Sequence, residues 1–531
     1  MRTILVLFDS LNREALGAYG GTAVATPNFD RFAERSMVFD RHYVGSLPCM
    51  PARRDMHTGR LNFMHRPWGP LEPFDHSYAR LLSQHGVYTH IVSDHLHYFE
   101  DGGGGYVTAF DSWEFIRGQE YDPVKVMVQP PIERFRERFD PRHYPFAGLP
   151  TDRPVTRGTT EESAWRRSRH AVNTLFTVEE ADWPTTKCFS AAVDFLETNA
   201  SADNWFLQLE CFDPHEPFTA PERFRQAYVD GQGTRILDWP VYEEVTNSAD
   251  EIRQIRGNYA ALVAMCDARF GELLDRLDAM DAWKDTCVIL TTDHGFLLGE
   301  HGWWGKNRMP YYEEIAHIPL VVRHPDGEPG RYRGLTQTTD LMPTLLDLWS
   351  VEVPPEVTAH SLLPAIAGRD TGRDSAILGM FGGPVCVTDG RWTYYRYPER
   401  ESGEHLGFYT LAPSHIDRPF TTEELRAATL VAPFDFTDGV PVLRVPHLDD
   451  IGEAGFAAAA RRPRNSPLHD LLDDPRQEHA VENAEVEARL VSTLHAHFVR
   501  HDAPSEMFVH YGLTPPRPVS DNHERQQEKV Q

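Results

Sequence analysis

The sequence predicts an α/β protein that carries a smaller second domain. Three observations carry this reading. Short apolar runs alternate with segments at helical spacing over roughly the first 370 residues, the pattern of strands interleaved with helices. Two of these runs end directly in an aspartate, at Asp9 and at Asp293. From Ser375 onward the pattern changes to short strands followed by one helix.

Taken in order, residues 3–8 read as a buried strand. Thr26-Pro27 opens a helix, with Thr26 as N-cap and Pro27 at the first helical position, and the helix runs through Phe29, Phe32 and Ala33. Residues 87–92 and 205–211 are strands, the second leading into Asp213-Pro214. Leu262, Val263, Cys266, Phe270, Leu273, Leu274 and Leu277 recur at helical spacing. Residues 287–292 and 320–322 are strands, and 341–349 a short helix. In the second domain, 376–378, 385–388 and 392–395 are strands and 481–499 is a helix. The expected division is therefore 1–374, 375–505 and a polar tail at 506–531, rich in Pro, Gln and charge. Two stretches, about 100–168 and about 398–445, show no sustained period and read as insertions that form lids or pocket walls. No internal repeat is present.

The chain has 531 residues, 41 % hydrophobic and 25 % charged, enough for a large core and more than one compact unit. No window approaches the roughly 20 apolar residues of a membrane span. The opening MRTILVLFDS meets Asp9 too soon for a secretory signal, so the expectation is a cytoplasmic protein. A net charge of −27 argues against nucleic acid or an anionic membrane as partner, while leaving a small anionic substrate open. The six cysteines (49, 188, 211, 266, 287 and 386) form no CxxC pair, which suits a reducing compartment without disulfides or a zinc cluster.

The most informative segment runs from Pro48 to Arg60. A cysteine near a proline-initiated helix is by default a small buried residue. Here Pro51 fits a first helical turn, which places Cys49 at the N-terminus, where unpaired N–H groups and the helix dipole favour an anion. Arg53 lies one turn on, over the same face, where a guanidinium can hold a developing oxyanion. Cys49-x-Pro51-x-Arg53 followed by Thr58-Gly59-Arg60 resembles the signature of the sulfatase family. In that family the cysteine is oxidised to formylglycine, whose hydrated aldehyde supplies the attacking oxygen. The resemblance implies that Cys49 is the nucleophile once a formylglycine-generating enzyme has acted on it. His57 departs from the pattern, which has an apolar residue at that place.

Asp9 and Asp293 each follow a strand, and ligand sites in open parallel sheets lie beyond the carboxyl ends of strands. One such aspartate is more often a turn or cap residue. The pair, taken with Cys49, points to a hard divalent cation. The resemblance extends here: Asp9 with Asn12 and Gly20 is similar to the family's opening metal segment, and Thr292-Asp293-His294-Gly295 to its second. It implies a metal held by Asp9, Asp293, His294 and the modified Cys49, with Lys306 on the substrate's sulfate oxygens. Ser10 stands where many sulfatases have a second carboxylate; calcium is still the first expectation, and the loss of a carboxylate brings manganese in as the second. Asp213-Pro214-His215-Glu216-Pro217-Phe218 resembles a further family segment and makes His215 the candidate acid. Ser93 to Tyr98 lies where the family has Gly-Lys-Trp-His, and the match fails there; His95 and His97 are candidate substrate contacts.

The resemblance implies an alkaline-phosphatase-like fold, a central mixed sheet flanked by helices with a smaller α+β C-terminal domain carrying a short antiparallel sheet. It implies hydrolysis of sulfate monoesters to sulfate and an alcohol. Formylglycine enzymes that cleave phosphonate monoesters or phosphodiesters are the alternative. The sequence leaves the oligomeric state open, a homo-oligomer in which the polar tail reaches a neighbouring copy being one arrangement it allows.

Overall fold

A computed structural model describes residues 1–125, 127–144, 160–229, 235–399, 406–446 and 466–516. The core of the larger part is an eight-stranded sheet. Its strands are β1 (Arg2–Phe8), β2 (Met37–Tyr43), β3 (Tyr88–Ser93), β4 (Ser112–Phe115), β5 (Trp205–Cys211), β6 (Thr286–Thr292), β9 (Leu320–Arg323) and β10 (Gly330–Gln337). A short hairpin, β7 (Leu297–Leu298) with β8 (Trp304–Gly305), stands outside it. The order across the sheet is β10-β2-β9-β6-β1-β5-β3-β4. β9 runs antiparallel to both β2 and β6, and the other pairings are parallel, so the sheet is mixed.

β1 shows why these residues form a central strand. It is apolar on both faces, as a sheet covered on both sides demands. Ile4, Val6 and Phe8 enter one cluster with residues of the helices Pro184–Thr198 and Ala249–Ala279. Leu5 and Leu7 enter the other, with Met50 and Leu345. This period of two follows from the alternation of side chains along a strand. The helix α1 (Pro27–Ala33) begins where expected, but the Thr26 hydroxyl accepts from Gly17 N–H instead of capping it. Asp267, from the helix Ala249–Ala279, takes that role and accepts the N–H groups of Asn28 and Phe29.

The smaller part holds an antiparallel sheet of β11 (Ala376–Gly379), β12 (Val385–Thr388), β13 (Trp392–Arg396) and β17 (Leu468–Asp470), packed on the helix Ala484–Arg500. The stretch 398–445, expected to be loop-rich, holds β14 (Gly407–Thr410), β15 (Thr429–Val431) and β16 (Val442–Pro446), which form a third sheet. Strands of three to five residues are too short to display a period. Likewise β4 and the helix Ile132–Arg138 lie inside the first expected insertion, and the helix Thr160–Asn173 begins in it and runs past its expected end. The expected tail also begins differently. Ser505–His510 is a helix whose Met507 and Phe508, with Tyr511, are buried in the core of the smaller part. Three large apolar residues within five positions outweigh the polar composition that follows. Residues 517–531, the rest of that tail, lie outside the described residues. No helix among the described residues is long and apolar enough to cross a membrane.

Candidate active site

The register of the sheet builds the site. Phe8 sits opposite Cys211 on one side and Thr292 on the other, so β1, β5 and β6 end level. The chain leaves these ends at Asp9, Phe212 and Asp293. Both aspartates are fully buried. Ser10 adopts a left-handed conformation (φ 59°) that turns its N–H toward Asp293 Oδ1 at 3.1 Å and its hydroxyl toward Asp9 Oδ1 at 2.7 Å. Gly295 lies against the helix Glu313–Ala316 so tightly that a Cβ would fall 1.9 Å from Glu314 O. Only glycine permits that approach, which fixes the backbone next to His294.

The helix α2 (Cys49–Thr58) is buried along its whole length. Cys49 is its first residue, and Pro51 lies in the first turn, where a missing N–H costs nothing. Gly59 ends the helix in a left-handed cap (φ 66°). Cys49 Sγ lies 3.1 Å from His294 Nε2 and 3.4 Å from Lys306 Nζ. Burial, then the charge of Asp9, pushes its pKa well up, so the thiol is protonated and a poor nucleophile as it stands.

Arg53, expected to face an oxyanion, spends its guanidinium otherwise. Nε donates to Glu210 Oε1 (2.6 Å), Nη1 to Asp293 Oδ2 (2.5 Å) and Nη2 to Asp9 Oδ2 (2.9 Å). Burial alone would raise the pKa of Asp9, but Arg53 and Lys306 outweigh it and hold the carboxyl well below its usual range. Lys306 Nζ lies 3.1 Å from Ser10 Oγ and 3.8 Å from Asp9 Oδ1. Burial works against its charge, yet the surrounding anionic groups raise its pKa, so it is a buried cation.

Asp9, Cys49, Asp293 and His294 each offer one ligand atom, and these atoms all lie within 4.8 Å of one another. His294 is suited to a ligand's role: burial lowers its pKa to about 4, and Nδ1 lies 3.0 Å from Gly295 O. That contact fixes the proton on Nδ1 and leaves the Nε2 lone pair facing the cluster. His95 stands at its edge, fully buried, with Nε2 3.4 Å from Asp9 Oδ2 and no hydrogen-bond partner on either ring nitrogen. Two carboxylates, an imidazole and an orphaned second imidazole fit a divalent cation.

The remaining expected residues flank this cluster. His97 is turned to Glu100, with Nδ1 2.7 Å from Oε2, and that carboxylate raises its pKa against the effect of burial. His215 Nδ1 lies 2.6 Å from the carbonyl of Glu216, and its ring packs on Phe212 with centroids 4.1 Å apart. Sequence reasoning missed Glu210, which looked like one more residue of a buried strand. It also missed Asp94, whose Oδ1 accepts the Phe212 N–H at 2.7 Å. Burial and the neighbouring Asp213 push Asp94 up to about 8. The strand-end rule that found Asp9 and Asp293 finds Asp94 too, one residue beyond β3.

A sequence model of the Sulfatase family matches residues 2–351. The choline-sulfatase of Rhizobium meliloti is 25 % identical over 425 residues, 74 % of this chain and 77 % of that protein. The human iduronate 2-sulfatase is 27 % identical over 420 residues, 68 % and 70 % of the two chains. Among solved structures, BT4656 in complex with its substrate D-glucosamine-2-N,6-O-disulfate superposes with a TM-score of 0.61 at 16 % identity, covering 94 % of this chain and 98 % of that one. The phosphonate monoester hydrolase of Agrobacterium radiobacter superposes with a TM-score of 0.60 at 17 % identity, covering 94 % and 95 %.

Proposed function

Because this chain belongs to the sulfatase family, a family of sulfuric ester hydrolases, we propose that it hydrolyses sulfate monoesters at Cys49, releasing sulfate and an alcohol. The observation that carries the reading is the cluster of Asp9, Asp293 and His294 around Cys49, with the Lys306 ammonium 3.4 Å from its sulfur. The protonated, buried thiol is no nucleophile, so oxidation of Cys49 to formylglycine supplies the attacking oxygen. A divalent ion at the cluster, calcium first and manganese second, would polarise the ester oxygens and acidify the nucleophile.

The chain's own residues divide the remaining work. Around Cys49 three buried carboxylates, Asp9, Glu210 and Asp293, face two cations, Arg53 and Lys306. A divalent ion would add two positive charges where the sulfate monoester's anionic group is to sit. Arg53 locks the two aspartates in place, and Lys306 binds the transferred group's oxygens. His215, with Nδ1–H tied to a backbone carbonyl, acts as the acid in its imidazolium form, Nε2–H giving its proton to the leaving oxygen as the S–O bond breaks and leaving a neutral imidazole. His95, without partners of its own, is a substrate or metal contact.

The test is sulfate release by formylglycine-bearing, metal-loaded protein from an aryl sulfate, compared with cleavage of a phenyl phosphonate. A clear preference for the sulfate is expected. Ser10 in place of a second carboxylate favours the rival phosphonate or phosphodiester reading, and a reversed preference would establish it. Maturation is assigned to a formylglycine-generating enzyme. The six cysteines are all unpaired and buried, which supports a reducing, cytoplasmic setting.

A further inference from the structure

Asn12 belongs to the segment that resembles the family's opening metal motif, yet it is not among the four residues of the cluster. An asparagine just before a turn of helix is by default its cap. Asn12 precedes the turn Arg13–Ala15, but its side chain makes no capping bond there. It reaches across to the other metal loop instead. Oδ1 accepts the Phe296 N–H at 2.6 Å, and Nδ2 donates to the Phe296 carbonyl at 2.8 Å. Phe296 follows closely on His294, as Asn12 follows on Asp9. One amide therefore joins the loop after β1 to the loop after β6, using both of its polar atoms.

Tyr259 closes the same joint from the helix Ala249–Ala279. Its hydroxyl accepts the Asn12 N–H at 2.8 Å and donates to the Ser10 carbonyl at 2.9 Å. Ser10 is the left-handed residue whose N–H meets Asp293 Oδ1. Its carbonyl is thus tied to Tyr259 and its N–H to Asp293, which holds a backbone conformation that serine rarely adopts. The Phe218 ring stands edge-on to Tyr259 and to Phe296, with centroids 5.3 and 5.6 Å away, so the joint also meets the segment that carries His215. Packing does not press the two loops together from every side. Asn12 and Tyr259 form part of the wall of a cavity of about 700 Å³. Hydrogen bonds between buried groups hold the loops there instead, Asn12 being 8 % and Tyr259 2 % exposed.

We propose that Asn12 and Tyr259 are positioning residues that set the spacing between Asp9 and the Asp293–His294 pair, and so the site's affinity for its ion. This rests on the metal-binding part of the proposed function and needs no sulfate ester. Groups that orient metal ligands from outside change metal affinity about ten- to a hundredfold when they are lost. Without the Tyr259 hydroxyl, the Asn12 N–H and the Ser10 carbonyl lose their partner, and Ser10 is no longer held in the conformation that directs it to Asp293. Without the Asn12 amide, the backbone beside His294 is no longer tied to the Asp9 loop.

The test is calorimetric titration of the metal-free full chain with calcium and with manganese, beside a urea midpoint for each protein. The variants are Tyr259→Phe, Asn12→Ala and Asn12→Asp. Asn12→Asp keeps the acceptor for the Phe296 N–H but sets an oxygen against the Phe296 carbonyl, so it serves where the alanine variant does not fold. Tyr511→Phe is the control, because it removes a buried hydroxyl that donates to the Gly383 carbonyl at 2.6 Å in the smaller part. Calcium Kd is expected to rise about tenfold or more in the Tyr259 and Asn12 variants. In Tyr511→Phe the urea midpoint falls and Kd stays at the native value. An unchanged Kd in Tyr259→Phe with a lowered urea midpoint makes the joint structural only and overturns the proposal. So does an equal loss of calcium affinity in Tyr511→Phe. The expected pattern in a protein that releases no sulfate leaves the proposal standing and overturns the sulfatase reading. A native protein that binds neither ion overturns the metal site, and the proposal with it.

Discussion

Arg53 Nε donates to Glu210 Oε1 at 2.6 Å, and neither side chain reaches solvent. Glu210 is held in turn by the Tyr98 hydroxyl at 2.8 Å and Gln208 Nε2 at 3.0 Å, both on Oε2. Arg53 therefore has a fixed rear anchor and presents its two outer nitrogens to Asp293 and Asp9. Its first task is to hold Asp9 and Asp293 together against their mutual repulsion.

Arg53→Met should accordingly be a folding variant before it is a catalytic one. It leaves three buried carboxylates facing Lys306 alone. Removing one partner of a buried pair costs about 3–5 kcal/mol, read as a lowered urea midpoint in metal-free protein. Added divalent ion should recover much of that loss, because it takes over the neutralisation. A variant equally destabilised with and without metal would show that the aspartates do not bind the ion.

Cys49 is 3 % exposed at the first position of a buried helix, so no enzyme reaches its sulfur in the folded protein. Conversion to formylglycine should therefore precede the packing of α2. Folded thiol-form protein incubated with the maturing enzyme should stay unmodified, while an unfolded chain or a peptide spanning 45–62 is converted. Mass spectrometry of the tryptic peptide reads this directly as a loss of about 18 Da. Conversion of the folded form would require α2 to open.

How far the sequence reached is clearest at these same residues. Asp9 and Asp293 were legible because strand ends in an α/β sheet converge, whatever the separation in sequence. Cys49 and Lys306 were legible through motif resemblance, and both lie at the cluster. Arg53 was placed correctly by helical spacing, but spacing cannot show what fills the far side of a side chain, and that side holds Glu210. Glu210 itself was hidden inside a run that reads as an ordinary buried strand. The small sheet of β14, β15 and β16 was missed for another reason: strands of three to five residues are too short to display a sustained alternation.

His57 departs from the family pattern yet behaves as an apolar residue. Its ring stacks on Tyr78 with centroids 4.6 Å apart, Nδ1 lies 2.8 Å from Ser77 Oγ, and burial lowers its pKa to about 3. Burial lowers His42 and His65 to about 3 as well. The folded pKa lies below the unfolded value of about 6.5, so the unfolded chain binds more protons in between. Stability is thus full above pH 6.5 and is lost as the pH falls towards 3, by up to about 1.4 kcal/mol per pH unit for each histidine. His57→Phe should flatten the dependence of the urea midpoint between pH 6.5 and 5. An unchanged slope would mean that His57 is protonated in the fold.

Ser10 offers the sharpest test of the metal. Its left-handed backbone is one that aspartate tolerates better than most residues, so Ser10→Asp should fit without moving the chain. The new carboxylate would start near Asp9 Oδ1, now 2.7 Å from the serine hydroxyl, and near the Lys306 ammonium, 3.1 Å away. In metal-free protein a fourth carboxylate among two cations should lower Tm. With a hard cation it becomes an added oxygen ligand, and calcium gains more from that than manganese, which tolerates imidazole. Calorimetry should show calcium affinity rising by roughly tenfold, with manganese changed less. No gain for either ion would mean that the new carboxylate is held by Lys306 and never reaches the metal, and equal gains would mean that the site does not distinguish the two ions.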